Sequence, residues 1–268
     1  MSRLEFPDYL RHLRSESARF REVLSSCPAD EQVPGCPAWK AADLAWHLTC
    51  VQNFWSTVIE TRPASPGTAD ENEGQTRPEA YADLLAAHES AAARLSDLLG
   101  AADPADEAWT WSQEQTVGFT YRRQAHEALI HRVDAEQAAG TSSPIDPALA
   151  ADGVDEVLGV MYGGAPAWGE FSPLEHYVRL DLTDAGESVW VQLGHFYGTN
   201  PDSGESYHEE DDIRVVGDPG VEPDAVIEGP AGAVNLWLWR RGDDAEIKVH
   251  GDRRVYDHFR AAVHHPLN

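Results

Sequence analysis

Along the first 140 residues, apolar positions recur at helical spacing. Leu10, Leu13, Phe20 and Leu24, with Tyr9 ahead of them and Ser17 in the gap, predict a first helix. A turn of Pro34, Gly35, Cys36 and Pro37 follows. A second helix then carries Leu44, His47, Leu48, Val51, Trp55 and Val58 along one face. The stretch Arg62 to Pro78, rich in Pro, Gly and Thr, reads as a long loop. Ala80 to Leu99 predicts a third helix stopped by Gly100, and Phe119 to Ala139 a fourth ended by Gly140. Four helices of this length suffice for an antiparallel bundle.

The period changes after Thr141 to Pro147, a Ser/Pro-rich stretch expected to be a linker between a bundle over residues 1–140 and a second domain over 148–268. Asp152 to Met161 predicts a short helix. His176 to Leu182 and Ser188 to Leu193 alternate with period two, as half-buried strands do. Ile213 to Val216, Ala225 to Glu228 and Ile247 to Val249 are shorter strand candidates, and Ala231 to Trp239 and Arg253 to Val263 are helix candidates. The expected fold is an all-α bundle followed by a smaller α+β sheet domain.

Composition then limits the partners. The chain has 268 residues, 46 of them acidic and 20 basic, for a formal charge of −26. The acidity is shared, with 22 acids against 12 bases in residues 1–140 and 24 against 8 in the remainder, so it is not a tail. Such a surface repels phosphate backbones and anionic lipid, which argues against nucleic acid or a membrane as partner. Neither an apolar run of about 18 residues nor a leader-type N-terminus is seen. The three cysteines, Cys27, Cys36 and Cys50, are too few and odd in number for a disulfide framework. A cytoplasmic location is the expectation.

The strongest chemical signal lies in the fourth helix. Glu127 and His131 are four residues apart and project from one face, the spacing of two ligands to one metal ion. His126 sits about 140° around the helix from His131, so the two cannot face the same ion. His47, on the apolar face of the second helix, is the candidate third ligand, because a polar ring there needs a partner. Two imidazoles and one carboxylate would leave an open position on Zn²⁺ or another divalent metal, as catalytic sites do. The same residues also fit a satisfied core histidine and an ordinary i, i+4 pair.

Two segments carry a resemblance. Cys36-Pro-Ala-Trp-Lys-Ala-Ala-Asp-Leu-Ala-Trp-His47-Leu and Ala125-His-Glu-Ala-Leu-Ile-His-Arg-Val-Asp-Ala-Glu136 resemble the C-P-x-W-x-x-x-D-L-x-x-H-L and A-H-E-x-x-x-H-R-x-D-A-E segments of the mycothiol-dependent maleylpyruvate isomerase family. The first domain is then similar to DinB-like metal-binding four-helix bundles, and the second to sterol-carrier-type domains. The resemblance implies that His47, Glu127 and His131 are zinc ligands and that mycothiol is the thiol cosubstrate. It also implies that the second substrate is a small electrophile or unsaturated acid. The implied reaction is cis–trans isomerisation by thiol addition and elimination. An S-transferase would share the thiol-activation step, and a metal- or ligand-binding module without turnover is the non-enzymatic alternative.

Other residues give weaker leads. Arg123, one turn before Glu127, could receive a substrate carboxylate or simply pair with Glu127. Asp134 could orient the His131 ring, bind the thiol's polar groups, or be a solvated helix-face charge. Arg240 and Arg241 could reach substrate or thiol, or could only complete a helix end. Cys50 reads as a buried free thiol, Cys36 as part of the turn, and His208-Glu-Glu-Asp-Asp212 as a solvated run in a polar loop.

Overall fold

Helical periodicity in the first half becomes four helices: α1 (Phe6–Ser25), α2 (Ala41–Thr61), α3 (Tyr81–Ala101) and α4 (Val117–Ala138). The computed structural model describes residues 3–63, 65, 74–264 and 267. Two units result, Leu4–Pro144 and, chiefly, Ile145–Asn268. In the first, α1 packs on α3 and α4, and α2 on the same two helices. Of the loop expected over Arg62 to Pro78, residues 64 and 66–73 lie outside the described residues. No helix among the described residues is long and apolar enough to cross a membrane.

Local chemistry sets the helix ends that matter for the site. The backbone N–H of Lys40 donates to Asp43 Oδ2 at 2.9 Å and so fixes the start of α2. Thr116 caps α4 by accepting from the Phe119 N–H at 3.2 Å, and Gly140, at φ 65°, turns the chain away after its end. The third helix runs through Gly100 instead of stopping there, because that glycine keeps a helical backbone beneath Leu10. Nineteen of the 22 residues of α4 are buried, among them Arg122, Arg123, Gln124, His131, Arg132, Asp134 and Glu136. A helix that buries so many polar groups must satisfy them with partners, and those partners organise the bundle.

Not every buried polar group in the bundle finds a hydrogen bond. His88 of α3 packs on the Phe20 ring at 4.7 Å, and neither ring nitrogen is hydrogen bonded. Burial, helped by the nearby Arg21 charge, pulls its pKa down to about 4. Its folded pKa therefore lies below the value near 6.5 of the unfolded chain, which binds the proton first as pH falls. Stability tied to this residue is present above about pH 6.5 and is lost between there and about pH 4. Urea melts at pH 7.5 and pH 4.5 should show the parent protein losing about 2–3 kcal/mol more than His88→Leu. Equal acid losses in the two proteins would refute this.

The second unit begins with α5 (Pro147–Glu156), which continues into a π-helical segment, Val157–Tyr162. This helix starts five residues earlier than the apolar pattern predicts. Asp146 caps it by accepting from the N–H groups of Ala148 and Leu149, and Pro147 occupies its first turn. The strands are β1 (Gly169–Leu182), β2 (Glu187–Thr199), β3 (Ser206–Val216), β4 (Ala225–Gly229) and β5 (Lys248–Gly251). With α6 (Ala231–Leu238) and α7 (Arg253–Ala262) they complete an α+β unit. The sheet order is β3-β2-β1-β4-β5, antiparallel except for the β1–β4 pair.

The run His208 to Asp212 lies inside β3 and not in a loop, which corrects the sequence reading. Strand β3 pairs with β2 on one side only, and four of the five side chains of the run are exposed. With no apolar partner set, the run shows no alternation, yet its backbone is held by the ladder.

Candidate functional site

Helices α2 and α4 bring His47, Glu127 and His131 together. Glu127 Oε1 lies 3.1 Å from His131 Nε2 and 3.5 Å from His47 Nε2. The two imidazole rings stand edge to face, 4.9 Å between centroids. One ligand-type atom from each residue lies within 4.8 Å of the others. Tetrahedral zinc with bonds of about 2.0–2.1 Å would need such atoms about 3.3 Å apart.

Partners lock this trio from behind. His131 Nδ1 meets Asp134 Oδ2 at 3.0 Å, and Asp134 is wholly buried. That contact directs the other ring nitrogen toward Glu127. Cys36 Sγ donates to the same Asp134 oxygen at 3.9 Å, tying the turn before α2 to α4. Arg123 donates to Glu127 Oε2 at 3.0 Å. The Trp39 ring lies 4.6 Å from the His47 ring and, with Cys36, packs on the core of Phe20, Leu44, Leu48 and Ala135.

Electrostatics follow from this enclosure. Burial alone would push Glu127 up, but its bond and charge interaction with His131, then the close approach of His47 and the charge of Arg123, hold it well below the usual carboxylate range. Burial works against charge on His131 too, yet Asp134 and Glu127 raise its pKa to about 9. A cation entering here would replace that proton as the partner of the Glu127 carboxylate.

His47 makes the fit to a metal specific. Its Nε2 is buried and has no hydrogen-bond partner, although it faces a carboxylate and a second imidazole. An orphaned ring nitrogen directed at two other donors is what an ion between them would satisfy.

The remaining leads sort differently. His126 points away, buried edge-on to Tyr9 at 6.3 Å, as the helical angle requires. Cys50 is buried and free of disulfides. Arg123 is buried and engaged with Glu127, and Asp134 is a buried partner of His131 and not a solvated charge. Arg240 and Arg241 lie in the other unit, just past α6, where the Arg241 guanidinium donates to the Trp239 carbonyl at 2.8 Å. That contact matches a role in closing the helix end. Sequence reasoning missed Trp39 as a wall of the site and the Cys36–Asp134 link. All three residues stand in the two segments already singled out, but only the packing of α2 against α4 reveals the contacts.

Comparison with known proteins places these features. Residues 10–136 match the family model described as the mycothiol maleylpyruvate isomerase N-terminal domain, and residues 148–258 match the model of the corresponding C-terminal domain. Among solved structures, a histidine-to-alanine mutant of a mycothiol-dependent maleylpyruvate isomerase is similar, with TM-score 0.59 and 15% identity over 93% of this chain and 95% of that one. The mycothiol-dependent maleylpyruvate isomerase without that substitution is similar at TM-score 0.56 and 14% identity over the same shares. A comparison with curated protein sequences finds no match.

Proposed function

The chain belongs to the mycothiol-dependent maleylpyruvate isomerase family, and on that premise we propose that it activates a mycothiol-type thiol at a zinc ion held by His47, Glu127 and His131. The orphaned, buried Nε2 of His47, facing Glu127 and His131, carries this reading. Bound there, zinc would supply the positive charge that keeps a thiol ionised at neutral pH.

The chain's own residues prepare the site for that task. Asp134 holds the His131 ring so that Nε2 faces the ligand cluster. Arg123 balances the charge of Glu127 and fixes one of its oxygens. Trp39 covers His47 and shields it from water on that side. The favoured reaction is isomerisation of a cis unsaturated acid of the maleylpyruvate type. The thiolate adds to the conjugated double bond, the resulting single bond rotates, and elimination restores both the double bond and the thiolate.

A specific observation favours thiol transfer to an electrophile as the second reading. The formal charge of −26 opposes the approach of a dicarboxylate, and Arg123, the arginine beside the cluster, is already engaged by Glu127. A neutral electrophile meets no such barrier. The test offers the zinc-loaded protein mycothiol with maleylpyruvate and, in a separate arm, mycothiol with an alkylating electrophile. Isomerisation with the thiol returned supports the first reading, and accumulating conjugate supports the second. Zinc binding without either activity would leave a metal-binding module and refute both.

A further inference from the structure

The sheet unit holds its own cluster of ligand-type side chains. His195 on β2 and Asp211 on β3 are direct cross-strand partners, next to the buried pair Leu193 and Ile213 on the same face. Helix α7 packs on β3 and brings His258 to the same point. Its Nε2 lies 3.1 Å from Asp211 Oδ1, and His195 Nδ1 lies 3.8 Å from that oxygen. The two rings are nearly parallel, 22° apart in plane with centroids at 5.4 Å.

A distortion of β3 sets this meeting. Its register with β2 shifts between Phe196 and Gly198, where Glu209 takes φ 55°. Counted from the hairpin turn, the extra residue moves the pairing by one. Asp211 therefore faces His195 where an unbroken ladder would present Glu210. The shorter side chain on this register is the one that two imidazoles converge on.

We propose that His195, Asp211 and His258 form a second divalent-metal site, suited to Zn²⁺, in the sheet unit. Both facing ring nitrogens are buried and lack a hydrogen-bond partner, although a carboxylate oxygen lies between them. One ligand-type atom from each residue lies within 4.8 Å of the others. Two imidazole nitrogens with one carboxylate is a donor set for borderline cations, not for Mg²⁺ or Ca²⁺, which take oxygen. Asp211 also lines a cleft of about 730 Å³ with Trp168, Phe196, Tyr207, Glu210 and Asp212. Three protein donors would leave one position of a tetrahedral ion to water or another small donor. The 24 acids and 8 bases of residues 141–268 draw cations toward it.

This site is independent of the one in the bundle, and the experiment separates them. The full chain is dialysed against micromolar Zn²⁺ at pH 7.5 and its metal content measured, for the parent protein, His47→Ala, His258→Ala and the double variant. His47→Ala is expected to retain one tightly held zinc per chain, and adding His258→Ala removes it. Asp211→Asn, which alters a half-exposed side chain, is expected to lose the same equivalent and guards against misfolding in the histidine variant. Zinc should raise the melting temperature of His47→Ala but not that of the double variant. The inference is overturned if folded His47→Ala holds no zinc, or if its zinc survives both His258→Ala and Asp211→Asn. Failure of the bundle site alone would appear as a parent protein with one zinc, lost in His258→Ala and kept in His47→Ala.

Discussion

His131→Ala is expected to bring the zinc at the bundle site from about one ion per chain to near zero and to cut thiol-dependent turnover by about 10³-fold or more. The ring places its Nε2 3.1 Å from Glu127, nearer than the His47 nitrogen, and no other imidazole on α4 can replace it, since His126 faces Tyr9. His47→Ala should behave alike, because it removes the nitrogen that has no other partner. Asp134→Asn should be milder, weakening metal binding about 10–100-fold, since it perturbs the ring's orientation and leaves the ligand itself. The order His131→Ala worse than Asp134→Asn separates a metal centre from a merely structural polar cluster, in which loss of the fully buried Asp134 would be the more damaging change. Metal analysis beside mycothiol-dependent kinetics checks the series. Unchanged zinc at the bundle site in His131→Ala would remove the ligand assignment.

Much of this site was legible in the chain. The i, i+4 spacing of Glu127 and His131 needs only helical geometry, and the apolar face around His47 marks it as a ring requiring a partner. The Cys36–Asp134 contact was not legible, because 98 residues separate the pair and only the packing of α2 against α4 closes the distance. In the second unit, Asp146 and Pro147 have the chemistry of a helix start but stand in a Ser/Pro-rich stretch, where the same residues also describe a loop. The acidic run in β3 hid a strand for a different reason. Periodicity reports burial, and a ladder with exposed side chains has backbone order without an apolar signal. Strand lengths suffered likewise: β1 begins at Gly169, well before the alternating segment from His176, and passes through an irregularity between Pro173 and Tyr177 that breaks any simple period.

Arg132→Ala is expected to destabilise the bundle unit by about 3–5 kcal/mol. Its guanidinium, 1% exposed as a residue, donates to Glu16 at 2.7 Å, to Glu136 at 2.8 Å and to the Ser143 hydroxyl at 2.9 Å. Glu136 in turn accepts from Arg19 at 2.9 Å and from the Ser143 hydroxyl and backbone N–H at 2.7 and 3.0 Å. Burial pushes Glu136 up, but Ser143, Arg132 and Arg19 together hold it below its ordinary value, so it stays charged. Removing the arginine leaves that buried charge with less compensation and frees the segment after α4, which Ser143 otherwise ties down. Ser143, in the stretch expected to be a linker, is thus anchored to the helix that carries Glu127 and His131. Replacing both members of the most buried pair by apolar groups of similar size, as in Arg132→Met with Glu136→Leu, should recover part of the loss, because the Glu136 charge is removed with its partner and only the partly exposed Glu16 loses its arginine. Urea denaturation followed by helical circular dichroism measures both effects. A loss below about 1 kcal/mol in Arg132→Ala, or a double variant as unstable as the sum of its single changes, would show that the network does not act as a unit. The His-Arg-x-Asp-Ala-Glu segment then divides by role: His131, held by Asp134, faces Glu127 at the proposed metal site, while Arg132 and Glu136, on the opposite side of the same helix, hold the bundle together.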